Sequence, residues 1–128
     1  MPSRAESAFT TDDSVATPAE WEGGAMSHTR RIKTFTGKLA GSSVVEAIMV
    51  RLDNDGPALY VGVERFECTL QGRKGTFVLV HSATAFGGDQ TGSWTIVPGS
   101  GGGELTGIRG RGEIPPNHEF VLDYDIDT

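Results

Sequence analysis

Between Val44 and Thr84 the chain reads as three β-strands joined by two tight turns, and this stretch restricts the fold more than any other. Asn54-Asp55-Gly56 and Gln71-Gly72-Arg73-Lys74-Gly75 carry the turn residues of hairpins. Alternate side chains of a strand point to opposite faces, so the two turns decide which residues share a face. A first loop centred on Asp55 sets Val50 opposite Tyr60 and Glu46 opposite Glu64. A second loop centred between Gly72 and Arg73 sets Glu64 opposite His81, Phe66 opposite Leu79 and Cys68 opposite Phe77. The predicted face then holds Val44, Ile48, Val50, Tyr60, Phe66, Cys68, Phe77 and Leu79 around Glu46, Glu64 and His81. A register slip of one residue at either turn would send a whole strand to the other face. On the outward faces, Val45, Ala47 and Met49 beside Leu59, Val61 and Val63 make an apolar patch, which predicts self-association, most simply a two-fold dimer.

The rest of the chain repeats the same rhythm of short strand and turn. Strands are predicted at Ala5–Asp12, His28–Leu39, Ser43–Leu52, Ala58–Leu70, Thr76–Thr84, Gln90–Val97, Gly103–Gly107 and Glu119–Ile126. The one helical candidate, Pro18 to Glu22 after Thr17, gives at most a single turn before Gly23-Gly24. Eight strands at this spacing predict a single all-β domain over residues 1–128: a small, mostly antiparallel barrel with an axial pocket. Residues 13–27 are expected to form a loop crossing the barrel opening, with Trp21 plugging a cavity or meeting a partner subunit. In the last strand His118, Phe120, Leu122, Tyr124 and Ile126 share the face expected to point inward.

Charge and punctuation exclude several functions. The formal net charge is −6 and the pI about 4.9, which argues against nucleic acid as a partner because phosphate contacts need clustered Lys and Arg. The small basic clusters, Arg30-Arg31 with Lys33 and Arg109 with Arg111, read as solvated strand positions. Gly99-Ser100-Gly101-Gly102-Gly103 has neither the lysine of a phosphate loop nor a following helix, and reads as a hairpin tip. The single cysteine, Cys68, excludes an internal disulfide and falls on an apolar stripe, where a buried core residue is expected rather than a nucleophile. There is no apolar run of signal-peptide type at the N-terminus and none long enough to span a membrane, so a cytoplasmic protein without membrane association is expected.

The segments TFTGKLAGSSVVEAIM, YVGVERFECTLQGRKGTFVLVHSATAFGGDQTGSWTIVPGSGGGELTGIRGRG and LDYD together resemble a family of small bacterial domains of unknown function, grouped structurally with allene oxide cyclase-like β-barrels. The likeness runs from about Ser27 to Asp125, and Cys68 departs from the glycine usual in the family's ERxxGxLxGRxGxF turn. The resemblance implies an eight-stranded barrel with a pocket along its axis. It implies no activity, so function rests on the residues of the site.

Two carboxylates and an imidazole in an apolar cup suit acid–base chemistry on a small, mostly apolar molecule. Glu46, Glu64 and His81 are therefore the candidate catalytic groups, with Tyr60 as donor to a developing oxyanion. Phe66, Leu79, Phe86, Trp94, Phe120 and Tyr124 are candidate lining for an apolar ligand. An isomerase or cyclase is one reading; a non-catalytic carrier, or a barrel whose polar groups only pair with each other, are the others. Two carboxylates and one histidine also form a conceivable metal set. No HxH or HxxxE pair supports it, and neither metal nor cofactor is expected.

Overall fold

The computed structural model describes residues 3–53, 58–86, 89–114 and 119–126, with backbone alone at 86 and 89–91. These residues form nine strands: β1 (Ser3–Trp21), β2 (Gly24–Gly37), β3 (Leu39–Leu52), β4 (Ala58–Leu70), β5 (Arg73–Phe86), β6 (Asp89–Ile96), β7 (Gly102–Gly103), β8 (Ile108–Glu113) and β9 (Glu119–Ile126). The sheet order β4-β3-β2-β1-β9-β8-β6-β5, with β5 pairing back to β4, closes eight antiparallel strands into a ring. The two residues of β7 add to β5 at Gly75 and Thr76. Closure removes the exposed edges that a flat sheet would offer to other chains. Among the described residues no helix is long and apolar enough to cross a membrane.

The elements differ from the sequence expectation in two places. Residues 13–27 are not a loop: β1 and β2 continue through them as a long hairpin, paired from Asp13–Ile32 to Trp21–Gly24 around a tight turn at Glu22-Gly23. Backbone pairing overrides the poor strand preference of Pro18 and the acidic residues there. A bulge between Thr11 and Asp13 interrupts the ladder, and the Asp12 carboxylate accepts hydrogen bonds from Thr10 and Thr34 across it. The other difference is the penultimate ring strand, which is Ile108–Glu113 rather than Gly103–Gly107. Glycine and arginine hide its strand character. Gly110 has φ +153° and a side chain there would collide with the Asp123 carbonyl, so this strand needs glycine to lie close against β9.

Registers at the two central hairpins decide what faces inward. The second turn is the two-residue Gln71-Gly72, both with positive φ (47° and 89°), which pairs Leu70 with Arg73 and Phe66 with Phe77. This is two positions from the expected pairing and so keeps the same side chains inside. Between β3 and β4 the pairing is one position out: Val45 faces Glu64 and Glu46 faces Val63. The turn residues Asn54, Asp55 and Gly56 lie outside the described residues. The one-position shift flips all of β3, so Ser43, Val45 and Ala47 are buried while Ile48 is 49% exposed.

At one end of the ring the interior is solid. Phe35, Leu39, Phe66, Leu70, Phe77, Leu79, Ile96, Ile108, Phe120 and Leu122 are all essentially buried. Phe66 stacks on Phe77 with ring centroids 4.6 Å apart, and Phe35 sits 5.2 Å from Phe66 and 5.7 Å from Phe120. These are contact distances at which aromatic pairs add attraction beyond their burial. As expected, Phe120, Leu122 and Tyr124 of β9 point inward; His118 lies outside the described residues.

Candidate functional site

Above the aromatic layer, the next inward positions of β2 to β6 are polar. Lys33 of β2 is paired with Ser43 of β3, Val45 with Glu64 of β4, Gly62 with His81 of β5, and His81 with Trp94 of β6. Lys33, Ser43, Glu64 and His81 are each at most 8% exposed. Glu64 is the centre of this layer. Its Oε2 accepts a hydrogen bond from Ser43 Oγ at 2.5 Å and lies 3.7 Å from Lys33 Nζ. Its Oε1 lies 3.3 Å from His81 Nε2, close enough for charge attraction although the ring nitrogen is not aligned for a full hydrogen bond. On the far side of the imidazole, Nδ1 is 3.2 Å from the Tyr60 hydroxyl. The Lys33 ammonium also lies 4.9 Å from the Phe9 ring centroid, a cation–π distance.

The charges follow from these contacts. Burial pushes the Glu64 carboxyl upward, but His81, the Lys33 charge and the Ser43 hydroxyl outweigh it and hold the group below its ordinary value. Glu64 is thus a carboxylate inside an apolar shell, kept ionised by its neighbours. Tyr60 moves the other way. Burial and the nearby negative charge of Glu64 raise it, while the Trp94 indole N–H and the Arg31 charge oppose the rise. The Trp94 Nε1 atom is buried and has no aligned hydrogen-bond acceptor, so its effect on Tyr60 is one of proximity rather than a formed bond. The indole and imidazole planes lie 13° apart with centroids at 6.4 Å, and the Tyr60 ring meets His81 edge-on at 5.5 Å.

Beyond Tyr60 and Trp94 the ring opens into a cavity of about 710 Å³. Its walls come from the same end of every central strand: Ala25 to Ser27 of β2, Met49 to Arg51 of β3, Ala58 to Tyr60 of β4 and Ala83 to Ala85 of β5. Pro18, from the long β1–β2 hairpin, joins them. The volume suits a small organic molecule, and the lining is mostly apolar, with Tyr60 and Trp94 the members that also touch the polar layer.

The candidates from the sequence separate into three groups. Glu64, His81 and Tyr60 converge. Glu46 does not: the β3 register turns it outward, where it binds His28 Nε2 at 2.6 Å and Arg30 Nε at 3.1 Å. The two-carboxylate, one-histidine set is therefore not assembled, and among the described residues no group of three or more His, Cys, Asp or Glu could hold a metal. Of the expected ligand-lining residues whose side chains are described, only Trp94 reaches the cavity. Phe66, Leu79 and Phe120 are sealed in the aromatic layer, and Tyr124 is buried with its hydroxyl donating to Gln71 Oε1. The Phe86 side chain lies outside the described residues. Lys33 and Ser43 were not anticipated. Alternation along Thr29, Arg31, Lys33 and Phe35 pointed to Lys33, since Phe35 had to face the core. Cys68 is buried as expected, and burial pushes its thiol up to about 11.

Residues 5–127 match the family described as "Protein of unknown function (DUF3224)". The crystal structure of a DUF3224-family protein with unknown function from Shewanella oneidensis MR-1 matches the fold with a TM-score of 0.85 at 28% identity, covering 100% of this chain and 99% of that one. No curated protein matches the chain.

Proposed function

The chain belongs to the DUF3224 family, and we propose that it binds a small, mostly apolar molecule in the cavity above Tyr60 and Trp94. The observation that carries this reading is that the buried Glu64 and His81 lead to the half-buried Tyr60, which lines a mostly apolar cavity. A barrel that needed only a packed interior would fill this end as it fills the other. Burying a carboxylate, an ammonium and an imidazole together is costly, and such groups are often replaceable by apolar ones without loss of stability. An acid–base role for the series favours an isomerase or cyclase. In a carrier, the same groups would only anchor the polar end of the cargo.

The test uses aminoanthracene, an apolar fluorophore without a carbonyl, titrated into a Trp21→Phe variant so that Trp94 is the only tryptophan. Trp21 is 47% exposed on the hairpin arm, so its replacement leaves the cavity floor intact. Saturable quenching of Trp94 with matching fluorophore enhancement is expected. Quenching that rises linearly without saturation would count against the proposal.

Self-association belongs to the same reading, through a face other than the expected one, because Val45 and Ala47 are buried and Ile48 is exposed in their place. Ile48 pairs directly with Val61, and Val63 with Val80, and the four side chains are exposed by 49, 50, 46 and 38%. They form one apolar surface across β3, β4 and β5. Glu46 with Arg30 and His28 borders it on one side, and Arg65 with Glu67 on another, so the rim carries both signs of charge. A second copy related by a two-fold axis suits such a surface.

A further inference from the structure

We propose that Tyr60 is the group that exchanges a proton with the bound molecule, and that the substrates are apolar carbonyl compounds bearing a hydrogen on the carbon beside the carbonyl. The proposal rests on the cavity being the binding site. Within the polar series, Glu64 and His81 are 3% and 5% exposed and do not line the cavity; Tyr60 does. A molecule in the cavity therefore meets the series only through the phenol.

The order of the groups sets the direction of proton movement. The negative charge of Glu64 Oε1, 3.3 Å from Nε2, favours the His81 tautomer that carries its proton on that nitrogen. In the neutral ring this leaves the lone pair of Nδ1 facing the Tyr60 hydroxyl at 3.2 Å. The phenolic proton passes to Nδ1 as the phenol oxygen takes a proton from the carbon beside the substrate carbonyl. The electron pair of that C–H bond moves into the enolate, and the positive charge on the imidazole is stabilised by Glu64. Running the same steps backward returns every proton: at the same carbon this exchanges the hydrogen or inverts the centre, and at a carbon conjugated with the enolate it shifts a double bond and so isomerises the molecule. The logic is that of a carboxylate–histidine pair activating a hydroxyl. Burial and the Glu64 charge work against a bare Tyr60 oxygen, and the Trp94 N–H and the Arg31 charge offset only part of that, so the phenol takes up one proton as it gives up the other. Tyr60 is the catalytic residue in this scheme; His81 and Glu64 are positioning residues that act through it.

The experiment incubates the protein with methyl nonyl ketone in heavy water and follows deuterium uptake beside the carbonyl by NMR. Binding of the ketone is measured separately by its displacement of aminoanthracene. The wild type is expected to accelerate exchange by at least roughly 100-fold over buffer, the lower end for general acid–base catalysis. Tyr60→Phe should fall to the buffer rate while displacing the fluorophore as well as wild type does. His81→Gln should displace the fluorophore as well as wild type does but exchange slowly. Exchange at the buffer rate in the wild type, or undiminished exchange in Tyr60→Phe, overturns the proposal and leaves the cavity reading standing if aminoanthracene binds. Failure of aminoanthracene itself to bind removes both.

Discussion

Gly62 lies directly across from His81, and the side chain it lacks is the space the imidazole occupies. A Cβ at position 62 would stand 3.0 Å from His81 Cε1, 3.3 Å from Nε2 and 3.4 Å from the Ala47 methyl. Gly62→Ala is therefore expected to push the ring off Glu64 or Tyr60 and to cost about 1–3 kcal/mol, the usual range for overfilling a packed interior. Chemical denaturation gives the cost, and the histidine resonances in NMR give the displacement. An alanine variant as stable as wild type with unchanged His81 signals would contradict the tight fit.

Two glutamates on neighbouring strands should behave oppositely. Glu64→Gln removes the anion facing Lys33 and leaves a buried ammonium without a counter-charge, a loss of about 3–5 kcal/mol for a broken buried pair. Glu46 makes exposed pairs with His28 and Arg30, and Glu46→Gln should cost no more than about 1 kcal/mol. Thermal melts of the two variants side by side decide the matter. Equal losses would mean that the β3 register is wrong.

Acid should act through Glu64. Its pKa is lowered in the folded protein, so the folded state binds its proton less readily than the unfolded chain does. The resulting stability is fully present above the unfolded carboxyl value of about 4.3 and disappears as the pH falls through the lower folded value. Glu64→Gln should flatten that portion of the stability curve below about pH 4.3, while Glu46→Gln should retain it. Denaturation midpoints recorded from neutral to acidic pH measure both.

With its thiol raised to about 11 by burial, Cys68 carries almost no thiolate near neutral pH. Labelling by a disulfide reagent should be slow in the native protein and complete on denaturation. Stoichiometric labelling within seconds under native conditions would show that the site is open.

Val61→Lys places a charge in the middle of the apolar surface made with Ile48, Val63 and Val80. Sedimentation equilibrium should give a dimer mass for the wild type and a monomer mass for the variant at the same concentration. A wild type that stays monomeric at high micromolar concentration would rule out the assembly.

The strand rhythm, the lack of helix and the inward face of β9 were legible in the residues because alternation is a local property. The Glu64–His81 pairing was legible as well, since an error of two positions at Gln71-Gly72 preserves the face. Glu46 was not, because an error of one position reverses it. Lys33 was hidden by its company. A lysine following two arginines reads as solvated, and the requirement that Phe35 face the core puts Lys33 on the inward side together with Arg31, of which only Lys33 is buried. The strand character of residues 13–27 was invisible for another reason: pairing along the β1–β2 hairpin, rather than residue preference, holds them extended.

Among the described residues, the aromatic layer around Phe66 and Phe77 closes the ring at one end and leaves the cavity beyond Tyr60 and Trp94 open at the other. Traffic through it cannot flow in one direction. On the reading proposed above, whatever enters the cavity must leave by the end it came in, so arrival and departure compete for one passage. A molecule slow to leave holds up its successor, and occupancy at steady state is set by departure as much as by attraction.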